Sequence, residues 1–130
     1  MLFETHRPKT WAEVVGQDKV IAEIETLRAR GLAGRAYWIT GKSGTGKTTI
    51  ARLIAAEIAD DWFMEEIDAT DLTPARLREI ESTMQFMAAG KGGRAFIVNE
   101  AHGLRKDTVR QLLVLLERLP HHVAVIFTTT

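Results

Sequence analysis

Residues 41–48 read Gly-Lys-Ser-Gly-Thr-Gly-Lys-Thr. These residue types at this spacing suit one chemistry, the holding of a polyphosphate. A triphosphate needs many donors aimed at one concavity, and glycines let successive backbone N–H groups face inward with no Cβ in the way. A helix starting at Lys47 adds its N-terminal dipole and its unpaired N–H groups. The pattern predicts an ATP–Mg²⁺ site in which Gly41, Ser43, Gly44, Thr45 and Gly46 form the cradle. Lys47 reaches the β and γ phosphates, Thr48 offers its hydroxyl to the metal, and Thr49 lies next to it on the helix. Magnesium keeps most of its waters, so one protein oxygen plus phosphates suffices.

A second polar pair, Asn99-Glu100, ends the apolar run Ala95-Phe96-Ile97-Val98. In ATP-hydrolysing proteins with such a loop, an aspartate at this place orients the magnesium shell. Here the residue is Asn99, which keeps an acceptor oxygen but lacks the charge. Magnesium waters are then held less strongly. Nucleotide binding should survive, because the loop supplies most donors. Hydrolysis is either weakened or carried by Glu100.

The elements that must position these residues follow from periodicity. Val20, Ile24 and Leu27 predict a helix over 17–30, ended by Gly31 and Gly34. Residues 36–40 predict a short buried strand, and 47–59 a helix with Ile50, Leu53, Ile54 and Ile58 inward. The adjacent glutamates of 63–68 suit a strand at a sheet edge. Thr73-Pro74 is a helix start, with Leu77, Ile80, Met84 and Met87 on its face as far as the glycines from Gly90. Uniformly apolar 95–98 and 123–127 predict central parallel strands. Between them a helix over 107–118 turns Val109, Leu112, Leu113 and Leu116 inward and stops before Pro120. Alternating strands and helices predict a parallel sheet in a three-layer α/β/α sandwich, a single domain over 1–130.

Composition narrows the partners. Seventeen basic and seventeen acidic residues cancel, so a wholly basic nucleic-acid binder is excluded and any DNA contact must be local. The chain has no cysteine, hence no disulfide, thiolate zinc site or cysteine nucleophile, which fits a reducing cytoplasm. No apolar run is long enough to span a bilayer, so no membrane partner is expected. The four histidines show no metal spacing. His121-His122 reads as an exposed turn, and Trp11, Trp38 and Trp62 as packing residues.

Three further segments extend the pattern. Arg7-Pro8-Lys9-Thr10-Trp11-Ala12-Glu13-Val14-Val15-Gly16-Gln17 opens the chain, Val98-Asn99-Glu100-Ala101-His102-Gly103-Leu104 follows the second apolar run, and Leu113-Val114-Leu115-Leu116-Glu117 ends a helix. With the phosphate loop they resemble the clamp-loader branch of AAA+ ATPases, the bacterial polymerase III γ/τ type and its archaeal, eukaryotic and phage relatives. The resemblance runs nearly the whole length and implies a P-loop NTPase fold, ATP and Mg²⁺ as cofactors, and a role in DNA replication. It departs from the family at Asn99, where the family has aspartate.

The resemblance also implies residue roles. Pro8, Val14 and Val15 would line the adenine pocket, Glu100 would activate water, and Thr129 would be the sensor near the γ phosphate. Arg105, Lys106 and Arg110 would track DNA phosphates, contacts that position a duplex without reading its sequence. The implied partners are other loader subunits in a homo- or hetero-oligomeric ring, a sliding clamp and primer–template DNA. The family's fifth strand, helical lid, second sensor, arginine-bearing motif and collar would all lie beyond Thr130. The link from Ala59 to Phe63 is too short for the four-cysteine zinc module of bacterial γ subunits. Because hydrolysis in this family usually needs a neighbour's arginine, these 130 residues alone are expected to bind nucleotide weakly and turn it over little. Two alternatives remain open: an AAA+ subunit that binds ATP but scarcely hydrolyses it, on account of Asn99, and another P-loop ATPase or a small P-loop kinase, although the sequence shows no Arg-rich lid.

Overall fold

A computed structural model describes residues 31–42 and 46–130. The helix expected over 17–30, the adenine-pocket candidates Pro8, Val14 and Val15, and the loop residues Ser43, Gly44 and Thr45 lie outside the described residues. The remainder runs β1 (Arg35–Thr40), α1 (Lys47–Ile58), β2 (Met64–Asp68), α2 (Pro74–Met84), β3 (Arg94–Asn99), α3 (Lys106–Glu117) and β4 (Val123–Thr129). The four strands form one parallel sheet in the order β1-β4-β3-β2. Parallel neighbours need a crossover: α2 supplies it from β2 to β3 and α3 from β3 to β4, while α1 carries the chain between β1 and β2 at the two ends of the described sheet.

Because side chains alternate along a strand, each strand feeds two cores. On one face α1 packs Ala51, Ile54, Ala55 and Ile58 against Ala95, Ile97, Ala124 and Ile126. Four of these eight are alanines with no exposed surface, and small side chains let the helix lie close to the sheet. On the other face Leu77, Ile80 and Met84 of α2, with Leu112 and Leu115 of α3, cover Phe96, Val98, Val125 and Phe127. Helices on both faces make the α/β/α sandwich that the alternating pattern predicts. The glutamate-bearing strand β2 is at an edge and the two apolar strands are central, also as predicted. Arg52 of α1 grips Glu66 of β2 through two bonds of 2.7 Å, fastening that edge to the helix.

α2 starts as its sequence dictates. Thr73 Oγ1 accepts the Arg76 amide at 3.1 Å and Pro74 occupies the first turn, a cap of about 1 kcal/mol.

Five expectations need correction. The strand at 36–40 is not buried throughout: β1 lies at the end of the described sheet, and only Tyr37 is fully covered. Trp38 is 57% exposed, one ring face stacked on Phe127 at 4.3 Å. Trp62 is 93% exposed and so is no packing residue. α2 ends at Met84, which leaves Met87 exposed beyond the last turn. In α3 the inward residues are Thr108, Leu112 and Leu115, and Leu113 faces solvent. A run of Leu-Leu-Val-Leu-Leu offers several apolar stripes, and the Thr108 hydroxyl selects one by donating to the Leu72 carbonyl at 3.2 Å. Finally, His122 is buried, with Nε2 at 3.1 Å from the Phe86 carbonyl. His121 alone is exposed.

Candidate functional site

The carboxyl ends of the strands gather the polar candidates. Gly46, at φ 84°, ψ 18°, turns the chain into α1 through the left-handed region that a Cβ disfavours. Its carbonyl accepts the Ile50 amide at 3.0 Å. No side chain among the described residues caps α1, and no acidic residue sits in its first turn. The first N–H groups of the helix therefore stay available to an anion.

Lys47 is 8% exposed, and its ammonium donates to the Gly41 carbonyl at 2.5 Å, so the side chain reaches back to the end of β1. The Gly41 amide donates to the Thr129 carbonyl at 3.2 Å, tying the loop to the tip of β4. The Thr49 hydroxyl, one helix position beyond Thr48, is buried with no hydrogen-bond partner among the described residues.

Thr48, Asn99 and Thr128 form a chain. Thr128 Oγ1 donates to Asn99 Oδ1 at 2.8 Å, and Thr48 Oγ1 lies 3.4 Å from the same oxygen. The Glu100 amide approaches Thr128 Oγ1 at 3.4 Å. Strand parity explains the grouping. Ala95, Ile97 and Asn99 share the α1 face with Ala124, Ile126 and Thr128, and the register that pairs Val98 with Phe127 sets Asn99 beside Thr128.

Glu100 has φ 57°, ψ 51°, and among the described residues it is the one non-glycine with positive φ. Such a backbone costs roughly 1–3 kcal/mol and persists where its surroundings enforce it. Its carboxylate is about half exposed and lies 3.2 Å from His102 Nε2. The other ring nitrogen of His102 is 3.2 Å from Thr129 Oγ1. Nearby Asp68 has its carboxyl held below the usual carboxylate range, first by the Thr70 hydroxyl and then by the Thr70 amide; partial desolvation opposes these and the charge of His102 assists.

The structure thus brings Lys47, Thr48, Asn99, Glu100 and Thr129 to one end of the sheet. Arg105, Lys106 and Arg110 are exposed, at the start of α3. That helix end already has Asp107 in its first turn, whose carboxylate takes the Thr108 amide at 2.8 Å. The built-in anion competes there with any phosphate.

Sequence reasoning missed the parts played by Thr128 and His102. Parity was the available signal for Thr128: counting by twos from Ala124 puts it, and not Thr129, on the α1 face. His102 gave no signal, because its role depends on the short turn Ala101–Gly103 that follows Glu100.

The site suits ATP and magnesium on its own chemistry. It has an uncapped helix start, a buried lysine at that start, an orphaned buried hydroxyl next to it, and a hydroxyl–amide pair from Thr48 to Asn99.

Comparison with known proteins places the chain in a family. The sequence profile described as "ATPase family associated with various cellular activities (AAA)" matches residues 37–130. The chain is 31% identical to the DNA polymerase III subunit tau of Escherichia coli K12 over 153 aligned positions, covering 100% of this chain and 24% of that protein. It is 30% identical to the gamma/tau subunit of Mycobacterium bovis, covering 99% of this chain and 27% of that one. The chain therefore spans about a quarter of the length of these relatives. Among solved structures, a point mutant of Thermotoga maritima RuvB superposes with TM-score 0.72 at 20% identity, covering 97% of this chain and 43% of the other. A DNA polymerase III gamma subunit-related protein from the same organism superposes with TM-score 0.67 at 16% identity, covering 82% and 38%. At those identities the superpositions speak for the fold alone. The family match carries nucleotide binding with it, and among the described residues no helix is long and apolar enough to cross a membrane. With its phosphate loop, its parallel sheet and this coverage, the chain belongs to the AAA family of ATPases, and within it resembles the clamp-loader subunits.

Proposed function

We propose that this chain is the ATP-binding and ATP-hydrolysing core of a sliding-clamp loader subunit. It would work in a ring of subunits that places a clamp on primer–template DNA, in the reducing cytoplasm. The observation that carries the reading is the chain of polar contacts from Thr48 through Asn99 and Thr128 to the Glu100 backbone, at the mouth of an uncapped helix. Likeness to DNA polymerase III tau and gamma/tau subunits supports the partners.

Each residue has a task. Gly41, Ser43, Gly44, Thr45, Gly46 and the amides of Lys47, Thr48 and Thr49 bind the phosphates, and Pro8, Val14 and Val15 pack on the adenine. Bound magnesium spreads phosphate charge and fixes the geometry of the transferring group. The Lys47 ammonium adds a second positive charge. Thr48 gives its hydroxyl proton to Asn99 and keeps its lone pairs for the cation, so Asn99 acts chiefly by orienting Thr48. Glu100 takes a proton from the attacking water, Thr129 senses the γ phosphate, and Arg105, Lys106 and Arg110 contact DNA phosphates. The measurement is phosphate release by the intact protein with and without primed DNA and a sliding clamp. The reading expects turnover to rise on adding both; indifference to both contradicts it.

Asn99 also favours a second reading, a nucleotide-gated subunit with scant hydrolysis. An amide at this place lacks the charge that steadies magnesium waters. Under this reading the natural protein turns over slowly and Asn99→Asp raises the rate about tenfold or more, the effect of one charge-assisted bond. Brisk turnover in the natural sequence, unimproved by Asn99→Asp, excludes it.

A further inference from the structure

A carboxylate that activates water must be held in place, because a misplacement of about 1 Å can cost roughly a hundredfold in rate. The Glu100 side chain is about half exposed, and its backbone fixes only where it starts. At its far end the His102 ring comes within ion-pair reach, Nε2 lying 3.2 Å from the carboxylate.

The chemistry of the three partners favours one placement of the protons. A carboxylate can only accept, so a ring that steers Glu100 from 3.2 Å does so with hydrogen on Nε2, whether it is neutral or charged. In the neutral ring Nδ1 is then bare and accepts the Thr129 hydroxyl proton across 3.2 Å. The neighbouring polar groups have partners of their own: Asp68 Oδ1 accepts the Thr70 amide and hydroxyl at 3.0 and 2.7 Å, and the Thr128 hydroxyl donates to Asn99. One imidazole therefore joins residues from the ends of two different strands.

We propose that His102 is a positioning residue that couples Thr129 to Glu100. The idea rests on the assignment of Glu100 as water activator and Thr129 as phosphate sensor. When the Thr129 hydroxyl is drawn to a phosphate oxygen, Nδ1 loses its proton donor and the ring that steers Glu100 is released to turn. The acid's position then reports whether Thr129 is engaged. A ring that merely braced the Ala101–Gly103 turn would have no such dependence on Thr129.

The test is nitrogen NMR of the His102 ring in the intact protein, assigned by its loss in His102→Gln. The coupling expects the Nε2–H tautomer, and a downfield move of Nδ1 in Thr129→Val, toward a bare acceptor. A non-hydrolysable ATP analogue with Mg²⁺ should move Nδ1 in the natural sequence and not in Thr129→Val. In turnover, His102→Ala should lower kcat about ten- to a hundredfold with KM for ATP little changed, and His102→Gln, which keeps a donor near the Nε2 position, should restore most of it. An Nδ1–H tautomer, or a ring indifferent to Thr129→Val, overturns the coupling, and these measurements without nucleotide decide it alone. If Lys47-dependent nucleotide binding is intact while the ring is silent, the coupling alone fails. If nucleotide does not bind at all, the functional reading fails with it.

Discussion

The two ends of the sheet are built on different principles. At the carboxyl end, side-chain hydroxyls, an amide and a carboxylate meet in directed contacts: Thr48, Asn99 and Thr128, then Glu100, His102 and Thr129. At the amino end the chain closes on itself through its backbone. Gly34 donates to Val123 at 2.6 Å, Arg94 donates its amide to His122 at 2.9 Å, and the Phe86 carbonyl collects both Arg94 Nε at 2.8 Å and His122 Nε2 at 3.1 Å. Glycine marks both ends for opposite reasons. A Cβ on Gly93 would strike the Ile58 carbonyl and side chain, whereas one on Gly46 would meet nothing within 4 Å among the described residues but would strain a backbone at φ 84°. Space governs the amino end and direction governs the carboxyl end, which leaves the latter open to a ligand.

The sharpest way to break this contrast is to make one substitution at both ends. Gly93→Ala pushes backbone against backbone and should cost about 3 kcal/mol or more of stability in chemical denaturation, with nucleotide affinity of the folded fraction unchanged. Gly46→Ala should cost only about 1–2 kcal/mol, the left-handed penalty for an L-residue, yet weaken nucleotide binding. Equal stability losses, or a binding loss at Gly93, would erase the distinction.

A smaller effect tests the polar chain. Thr128→Val keeps the shape but leaves partly buried Asn99 one donor short, and should destabilise by about 1 kcal/mol. Thr128→Ser should recover most of that loss. If valine is as stable as threonine, the contact at 2.8 Å contributes nothing.

The smallest effect is at Asp68. Its folded carboxyl titrates below the ordinary 3.8, so its contribution to stability is present above that value and is lost as pH falls through the folded one. Thr70→Val removes the leading cause and should move the Asp68 titration, followed by carbon NMR, back up toward 3.8 with little change in midpoint stability near neutral pH. An unmoved titration would detach Thr70 from it.

The layers and the places of three strands were legible because a strand buried on both faces reads as an unbroken apolar run, while a helix reads as a stripe. Uniform apolar runs put β3 and β4 at the centre, and paired glutamates put β2 at an edge. The helix stripes were harder to read. Leu113 and Leu115 are chemically alike, and which one faces inward depends on tertiary contacts such as the packing of Leu112 and the Thr108 hydrogen bond to Leu72, thirty-six residues away in sequence. The phosphate loop announced itself because glycine, lysine and threonine are each needed for a separate physical reason. Thr128 was hidden among three threonines, and His102 was hidden because its two contacts come from a turn and from a distant strand. Local chemistry is visible in sequence, and convergence from several strands is visible only in three dimensions.

The account rests on the helix start at Lys47 receiving a polyphosphate. The most direct measurement is titration of the protein with ATP and Mg²⁺, following the backbone amide signals of Gly46, Lys47, Thr48 and Thr49. Saturable shifts of these four are expected, with affinity falling about thirtyfold in Lys47→Ala, the loss of one charge-assisted bond of roughly 2 kcal/mol. Amides that stay still, or an affinity that Lys47→Ala does not change, would contradict it.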